Sequence, residues 1–226
     1  DAFNMVRFRL SKRALEPWVE CSVSFRINKD EVVVDTYSTE VNKLEKLRAA
    51  WLPAVEFLFG EAVEEAKFDG FEVWDDIAKP SAVFAHPDEP YRYKIHMPAR
   101  VFSNDVMLLA DVIQEMVRGQ YPAGYDGATT PALCEGVAVF GAVTAIKQVF
   151  GEESVDSYLN ARKEQAFSYY DAFSYVAVLL AEDPQAIKKL REVQPFLYKV
   201  ERADFDAAQV EIDRKIKDIL LLAFRA

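Results

Sequence analysis

The stretch Asp111-Val112-Ile113-Gln114-Glu115-Met116-Val117-Arg118 lies on a segment with the features of a helix. Ser103 is placed to cap its first turn, and Gly119 comes directly after its last residue. Residues four apart on a helix share one face, so Gln114 and Arg118 are expected to point the same way, with Glu115 beside them. Glutamate and arginine three apart are common on solvated helices, so this stretch is informative only together with a second segment downstream.

That second segment, Leu133-Cys134-Glu135-Gly136-Val137-Ala138-Val139-Phe140, lies on a predicted helix from about Ala132 to Phe150. In zinc peptidases with an HExxH motif, two histidines four apart bind the metal and the intervening glutamate is the general base. A glutamate on a second helix is the third ligand. The Q-E-x-x-R and E-G-x-A segments of this chain resemble those of the gluzincins, the zincin-like metallopeptidases with this ligand set.

The resemblance extends from roughly Val41 to Val200. A helix over residues 39–60 and the short strands after it resemble the helix and sheet that precede the active-site helix of the family. Residues 91–97 correspond to the edge strand along which substrates lie, and Tyr170 to a tyrosine that stabilises the oxyanion. The resemblance therefore implies an α+β, zincin-like fold, with a mixed sheet and a packed helix followed by a helical lobe.

The residues at the two histidine positions depart from the family pattern. Gln114 offers a neutral amide, which is a poor zinc ligand, and Arg118 brings a permanent positive charge. The two histidines of the chain, His86 and His96, lie among the predicted strands, where surface or hydrogen-bonded histidines are more common than ligands. The sequence thus predicts no metal, no cofactor and no catalytic residues. The relic positions are Gln114, Glu115, Arg118, Glu135 and Tyr170.

Two roles remain open for Glu115, Arg118 and Glu135. Without a metal, the glutamate has no acidified water to activate, so hydrolysis by the family mechanism is not expected. The three residues either form a structural ion pair that fills the vacated metal site, which is the favoured interpretation, or line a relic cleft that binds a ligand. In both cases Arg118 is expected within salt-bridge reach of Glu135, with Glu115 close by.

Composition excludes several classes of protein. The chain has 226 residues, 51% of them hydrophobic, which is enough to bury a substantial core. Its net charge of -10 argues against binding to nucleic acid. No uninterrupted apolar run approaches the length of a membrane span, so a soluble protein without a transmembrane segment is expected. Cys21 and Cys134 are interpreted as two ordinary buried thiols rather than a disulfide.

The chain is expected to divide into a strand-rich lobe over residues 1–102 and a helical lobe over residues 103–226, which together form one zincin-like unit. Alternating residues predict a strand meander over residues 1–38, and further short strands at 71–74, 82–85 and 91–97. Helical periodicity predicts helices over 103–118, 132–150, 154–181 with a break near Phe167, 184–193 and 205–224.

Three functions are compatible with these features. The favoured one is a catalytically inactive binding or regulatory module that holds a protein or extended peptide in the relic cleft. The alternatives are a hydrolase with altered, metal-independent chemistry that uses Glu115 or Glu135 beside Tyr170, and a structural module of a larger assembly. The start at Asp1, without a signal-peptide pattern, is compatible with a mature extracytoplasmic form, and the compartment and oligomeric state stay open.

Overall fold

The computed structural model of the protein describes residues 37–123 and 130–224, without the side chain of Phe167. The described residues form a mixed α+β structure that is mostly helical and contains a small three-stranded sheet. The meander predicted over residues 1–38 lies outside the described residues, apart from Tyr37 and Ser38 at its end.

The first helix, α1 (Ser38–Phe59), confirms the helix predicted over residues 39–60. Its buried stripe recurs every three or four residues and includes Leu44, Leu47, Trp51 and Val55. The helix stops at Gly60, whose φ of 90° is accessible to glycine and ends the helical hydrogen bonding. The buried stripe places α1 against the sheet and against the helix that carries the candidate site.

The sheet consists of β1 (Lys67–Trp74), β2 (Ala82–His86) and β3 (Glu89–Pro98), in the order β1-β3-β2. β1 is parallel to β3, and β2 is antiparallel to it. The strands confirm the three short strands predicted in this region. However, the prediction that residues 91–97 form an edge strand is wrong, because β3 is the central strand. A two-residue turn joins β2 to β3, so β2 pairs with one side of β3 and β1 pairs with the other. Among the described strands, β2 is the edge strand beside the candidate site.

The remaining helices come after a 3₁₀ turn at Ala99–Ser103. They are α2 (Asp105–Gly119), α3 (Ala132–Phe150), α4 (Glu152–Gln165), α5 (Phe167–Glu182), α6 (Ala186–Val193), α7 (Arg202–Ala207) and α8 (Arg214–Leu220). The bounds of α3 and the break between α4 and α5 confirm the sequence prediction. A second 3₁₀ turn, Leu197–Lys199, lies between α6 and α7.

Two helix boundaries differ from the sequence prediction. The N-cap of α2 is Asn104, whose Oδ1 accepts a hydrogen bond from the Met107 backbone N–H at 3.1 Å, and not Ser103. The hydroxyl of Ser103 donates instead to the Arg100 carbonyl at 2.8 Å, within the 3₁₀ turn. The single helix predicted over 205–224 is wrong, since Gln209 has a φ of 54° and separates α7 from α8.

Helix α3 is the centre of the helical lobe, with α2, α4 and α5 packed around it. Within the described residues it is long and apolar enough to cross a membrane by length and composition alone. The sequence shows no uninterrupted apolar run here because Glu135 and Lys147 interrupt it. Of its most apolar window, 72% is buried inside the fold, as in the core helix of a globular protein.

Gly136 sets the distance between α3 and α5. A Cβ built at Gly136 would lie 2.4 Å from the Ala172 carbonyl oxygen, a backbone atom that cannot turn away. A Cβ at Gly141, on the same helix, would lie 3.1 Å from atoms of Phe59 and Val117, which are side chains that can shift. Only a glycine therefore allows the close approach at position 136.

We expect Gly136→Ala to lower the free energy of unfolding by about 2 to 3 kcal/mol, because α5 must move away from α3. Gly141→Ala is the matched control, and it should cost less than about 1 kcal/mol, since a gain in helix propensity offsets a small side-chain shift. Urea denaturation of both variants measures the difference. Equal losses for the two variants would contradict the packing at Gly136.

Candidate functional site

Helix α2 carries the polar groups of the candidate site into the interior. Its Asn104 cap fixes the start of the helix, and the residues after the first turn are buried on almost every side. Three of the buried residues, Asp111, Gln114 and Glu115, are polar, and Glu115 is only 1% exposed. Buried polar groups of this kind require partners from neighbouring elements.

Arg118 joins two glutamates on two helices. Its Nη1 donates to Oε1 of Glu115 on α2, and its Nη2 donates to Oε2 of Glu135 on α3 at 2.6 Å. The hydroxyl of Ser81, just before β2, donates to the same Oε1 of Glu115 at 3.2 Å. The expectation that Arg118 pairs with Glu135 and lies near Glu115 is confirmed.

Gln114 points away from this group. Its side-chain N–H donates to the Tyr158 hydroxyl of α4 at 3.1 Å and to the Ala110 carbonyl at 3.3 Å. Gln114 also does not line the cavity that lies between β2 and the helical lobe. The expectation that residues 114 and 118 both face Glu135 therefore holds for Arg118, whereas the side chain of Gln114 turns toward α4.

A cavity of about 310 Å³ lies between β2 and the helical lobe, and Glu115, Arg118 and Glu135 form part of its wall. The other lining residues are Pro80, Ser81, Ala82, Val83, Ala85, Tyr93, Tyr121, Pro122, Ala123, Thr130, Cys134, Tyr169 and Tyr198.

The tyrosine that α5 contributes to the cavity is Tyr169, and Tyr170 is not in the wall. The relic role assigned to Tyr170 stays a prediction, and the residue next to it, Tyr169, is the one in the wall. Successive residues on a helix point about 100° apart, so two adjacent tyrosines of α5 do not face the same way. The sequence prediction also missed Ser81 and Tyr121, because neither belongs to a motif.

The carboxylates of Glu115 and Glu135 share the single guanidinium of Arg118. Burial raises the pKa of Glu115 to about 7; Arg118 opposes the rise, and the negative charges of Asp111 and Glu135 add to it. Burial alone would lower the pKa of Arg118, but Glu115 and Glu135 raise it above its ordinary value. Burial also raises the pKa of the Asp111 carboxyl, which lies 4.0 Å from a guanidinium nitrogen of Arg162.

The residues of the cavity do not suit a zinc ion. A guanidinium lies between the two glutamates, and no group of three or more His, Cys, Asp or Glu side chains in residues 37–123 and 130–224 could hold a metal. Burial also raises the pKa of the Cys134 thiol well above its ordinary value, which makes it a poor nucleophile. His96 lies elsewhere, on the outer face of the sheet, where its ring stacks on Phe84 at a centroid distance of 4.4 Å.

No protein-family model matches this sequence, and comparison with curated proteins and with solved structures finds no match.

We expect Arg118→Met to lower the free energy of unfolding by about 3 kcal/mol at pH 8, because it leaves two buried carboxylates without their counterion. The loss should be smaller at pH 5. The pKa of Glu115 is about 7 beside Arg118 and rises further without it, so this carboxyl is protonated in both proteins at pH 5. At pH 8 it is ionised beside Arg118, whereas the variant must bury the charge unpaired or keep the carboxyl protonated, so the loss is larger.

Urea denaturation at the two pH values measures this loss. Arg118→Lys is the control, since it keeps the positive charge but lacks the planar guanidinium that donates to both glutamates. Its free energy of unfolding should lie between those of the unmodified protein and Arg118→Met. A loss below about 1 kcal/mol, or the same loss at both pH values, would show that the ion pair does not stabilise the fold as described.

Proposed function

We propose that this protein is a catalytically inactive relative of the gluzincin metallopeptidases, whose cleft binds an extended peptide without a metal. The order of the elements supports the relationship. α1 and the mixed sheet precede α2 with Q-E-x-x-R, and α3 with E-G-x-A and α5 with its cavity tyrosine come after it.

The observation that carries the proposal is the position of the Arg118 guanidinium. Glu115 and Glu135 correspond by resemblance to the general base and the third zinc ligand, and the two side chains converge on one point from different helices. The cation that lies at that point is the guanidinium of Arg118, which belongs to the chain itself. A guanidinium that replaces a metal ion satisfies both carboxylates and leaves no Lewis acid for hydrolysis.

The peptide-binding part of the proposal rests on β2. Among the described residues, β2 pairs with β3 on one side only, and Ala82, Val83 and Ala85 line the cavity. A strand with one free side offers backbone N–H and C=O groups to an extended peptide, and this mode of binding needs no metal. The cavity beside β2 would then receive one side chain of the added peptide.

The two alternative functions have less support. A hydrolase that uses Glu115 or Glu135 as a general acid or base needs a second reacting group beside that carboxyl, and Arg118 already binds Oε1 of Glu115 and Oε2 of Glu135. Tyr170, the partner assigned in that alternative, lies outside the cavity wall. No observation specifically favours a purely structural module.

A reversion tests the relationship to zinc enzymes. The double variant Gln114→His with Arg118→His should bind about one zinc ion per chain with Glu135 as third ligand, whereas the unmodified protein should retain none after dialysis. Binding should weaken below about pH 6, where protonation of the histidines competes with the metal. Because residue 114 contacts Tyr158, we would add Tyr158→Phe to release the new histidine.

Titration calorimetry measures the zinc affinity of each variant. Glu135→Ala in the same background is the control, and it should weaken binding strongly. A folded double variant that binds zinc no better than the unmodified protein, with or without Tyr158→Phe, would remove the main support for the relationship.

Hydrogen exchange tests the peptide site directly. A mixture of octapeptides with random central positions should slow the exchange of β2 backbone amides in the unmodified protein, because strand addition protects them. Ala85→Trp, at the β2 position that pairs with Tyr93 in the cavity wall, should fill the cavity and reduce the protection. Unchanged exchange over Ala82–His86 in the presence of the mixture would refute peptide binding at this edge.

A further inference from the structure

The cavity beside β2 carries an excess of negative charge. Its charged lining residues, within the part of the chain that the structure describes, are Glu115, Glu135 and Arg118, so two carboxylates face one guanidinium. The neighbouring Asp111 lies within 4.0 Å of Arg162 and adds no uncompensated charge of its own. When Glu115 and Glu135 are both ionised, these three side chains therefore carry one net negative charge.

Two buried oxygens in the wall lack hydrogen-bond partners. Oε1 of Glu115 accepts from Arg118 and Ser81, but Oε2 of the same carboxyl has no partner among the described residues. Within the same part of the chain, the Tyr121 hydroxyl, on a residue 3% exposed, has none either. Buried oxygens without partners are costly, so their presence in a cavity wall points to a ligand that donates hydrogen bonds.

The rest of the wall suits the stem of a long side chain. Tyr93, Tyr169 and Tyr198 contribute aromatic surface, and Ala82 and Val83 contribute small apolar surface on the β2 side. Aromatic faces also attract cations. An anion is disfavoured, because the wall already holds two carboxylates against the single guanidinium of Arg118.

We infer that the cavity binds an alkyl ammonium group, in the form of a lysine side chain of the peptide that pairs with β2. An ammonium supplies the missing positive charge and three donors, which suit Glu115 Oε2 and the Tyr121 hydroxyl. It is also more compact than a guanidinium, and Arg118 already takes part of the space between the glutamates. This inference rests on the proposed function, because the peptide backbone delivers the lysine.

The test uses the full chain and octapeptides that differ only at one central residue, which is lysine, norleucine or arginine. Norleucine keeps the four-carbon stem of lysine without its charge. We expect the lysine peptide to bind about tenfold more tightly than the norleucine peptide in fluorescence anisotropy. Arginine should bind more weakly than lysine.

Protein variants distinguish a contact between lysine and Glu115 from electrostatic attraction to the net negative charge of the protein. Glu115→Gln keeps the shape but removes the charge at the cavity, and it should abolish the preference for lysine over norleucine. Glu182→Gln, at an exposed position at the end of α5, changes the net charge equally and should keep the preference. If Glu115→Gln does not fold, the three peptides still decide the question with the unmodified protein.

The outcomes distinguish this inference from the proposed function. If norleucine or arginine binds as well as lysine while the β2 amides are still protected, the ammonium assignment is wrong and peptide binding stands. If no peptide protects β2, both fail. The probe n-butylammonium, added alone, separates a free amine from a peptide lysine. Glu115-dependent binding of that amine more tightly than of the lysine peptide would overturn the assignment to a peptide.

Discussion

The ion pair formed by Arg118 with Glu115 and Glu135 is the constraint on which the helical lobe depends. The two glutamates lie on different helices, so the guanidinium fixes α2 and α3 relative to each other. Removing such charges from water is expensive, and the cost is offset only while all three partners are present. Ser81, just before β2, donates a hydrogen bond to Glu115, so hydrogen bonds link α2 and α3 to the edge of the sheet.

The same group explains why the interior contains an incompletely balanced charge. A single guanidinium serves two carboxylates, and burial raises the pKa of Glu115 to about 7. A polar cluster that served only the stability of the fold would be closed on all sides by its own partners. Here one carboxylate oxygen and the Tyr121 hydroxyl, both on residues of the cavity wall, have no partner in residues 37–123 and 130–224. The proposed lysine site would give these oxygens the donors that they lack.

Much of the fold could be predicted from the sequence where one physical signal dominated. Periodicity predicted α1 and α3, and the resemblance to the gluzincins implied the pairing of Arg118 with Glu135. Other features depend on small local differences in energy. Adjacent residues such as Ser103 and Asn104 are both good N-caps, and tertiary contacts decide between them.

Some features depend on how distant segments meet. The central position of β3 results from its pairing with β1, which a pattern of alternating residues does not encode. Tyr169 lines the cavity through the packing of α5 against the rest of the fold, and the positive φ of Gln209 lies between α7 and α8, where periodicity predicts one continuous helix. Ser81 and Tyr121 become part of the site only when the strand and helix ends come together.

The apolar character of α3 has a consequence for biogenesis. On the ribosome, α2 emerges before α3, while α5 emerges only after α3 and α4 are complete. During that interval one side of a helix suited in length to a lipid bilayer has no covering partner. Exposed apolar segments are prone to aggregation, so this interval is the one in which the chain shows most apolar surface. Docking of α5 at Gly136 covers that side of α3.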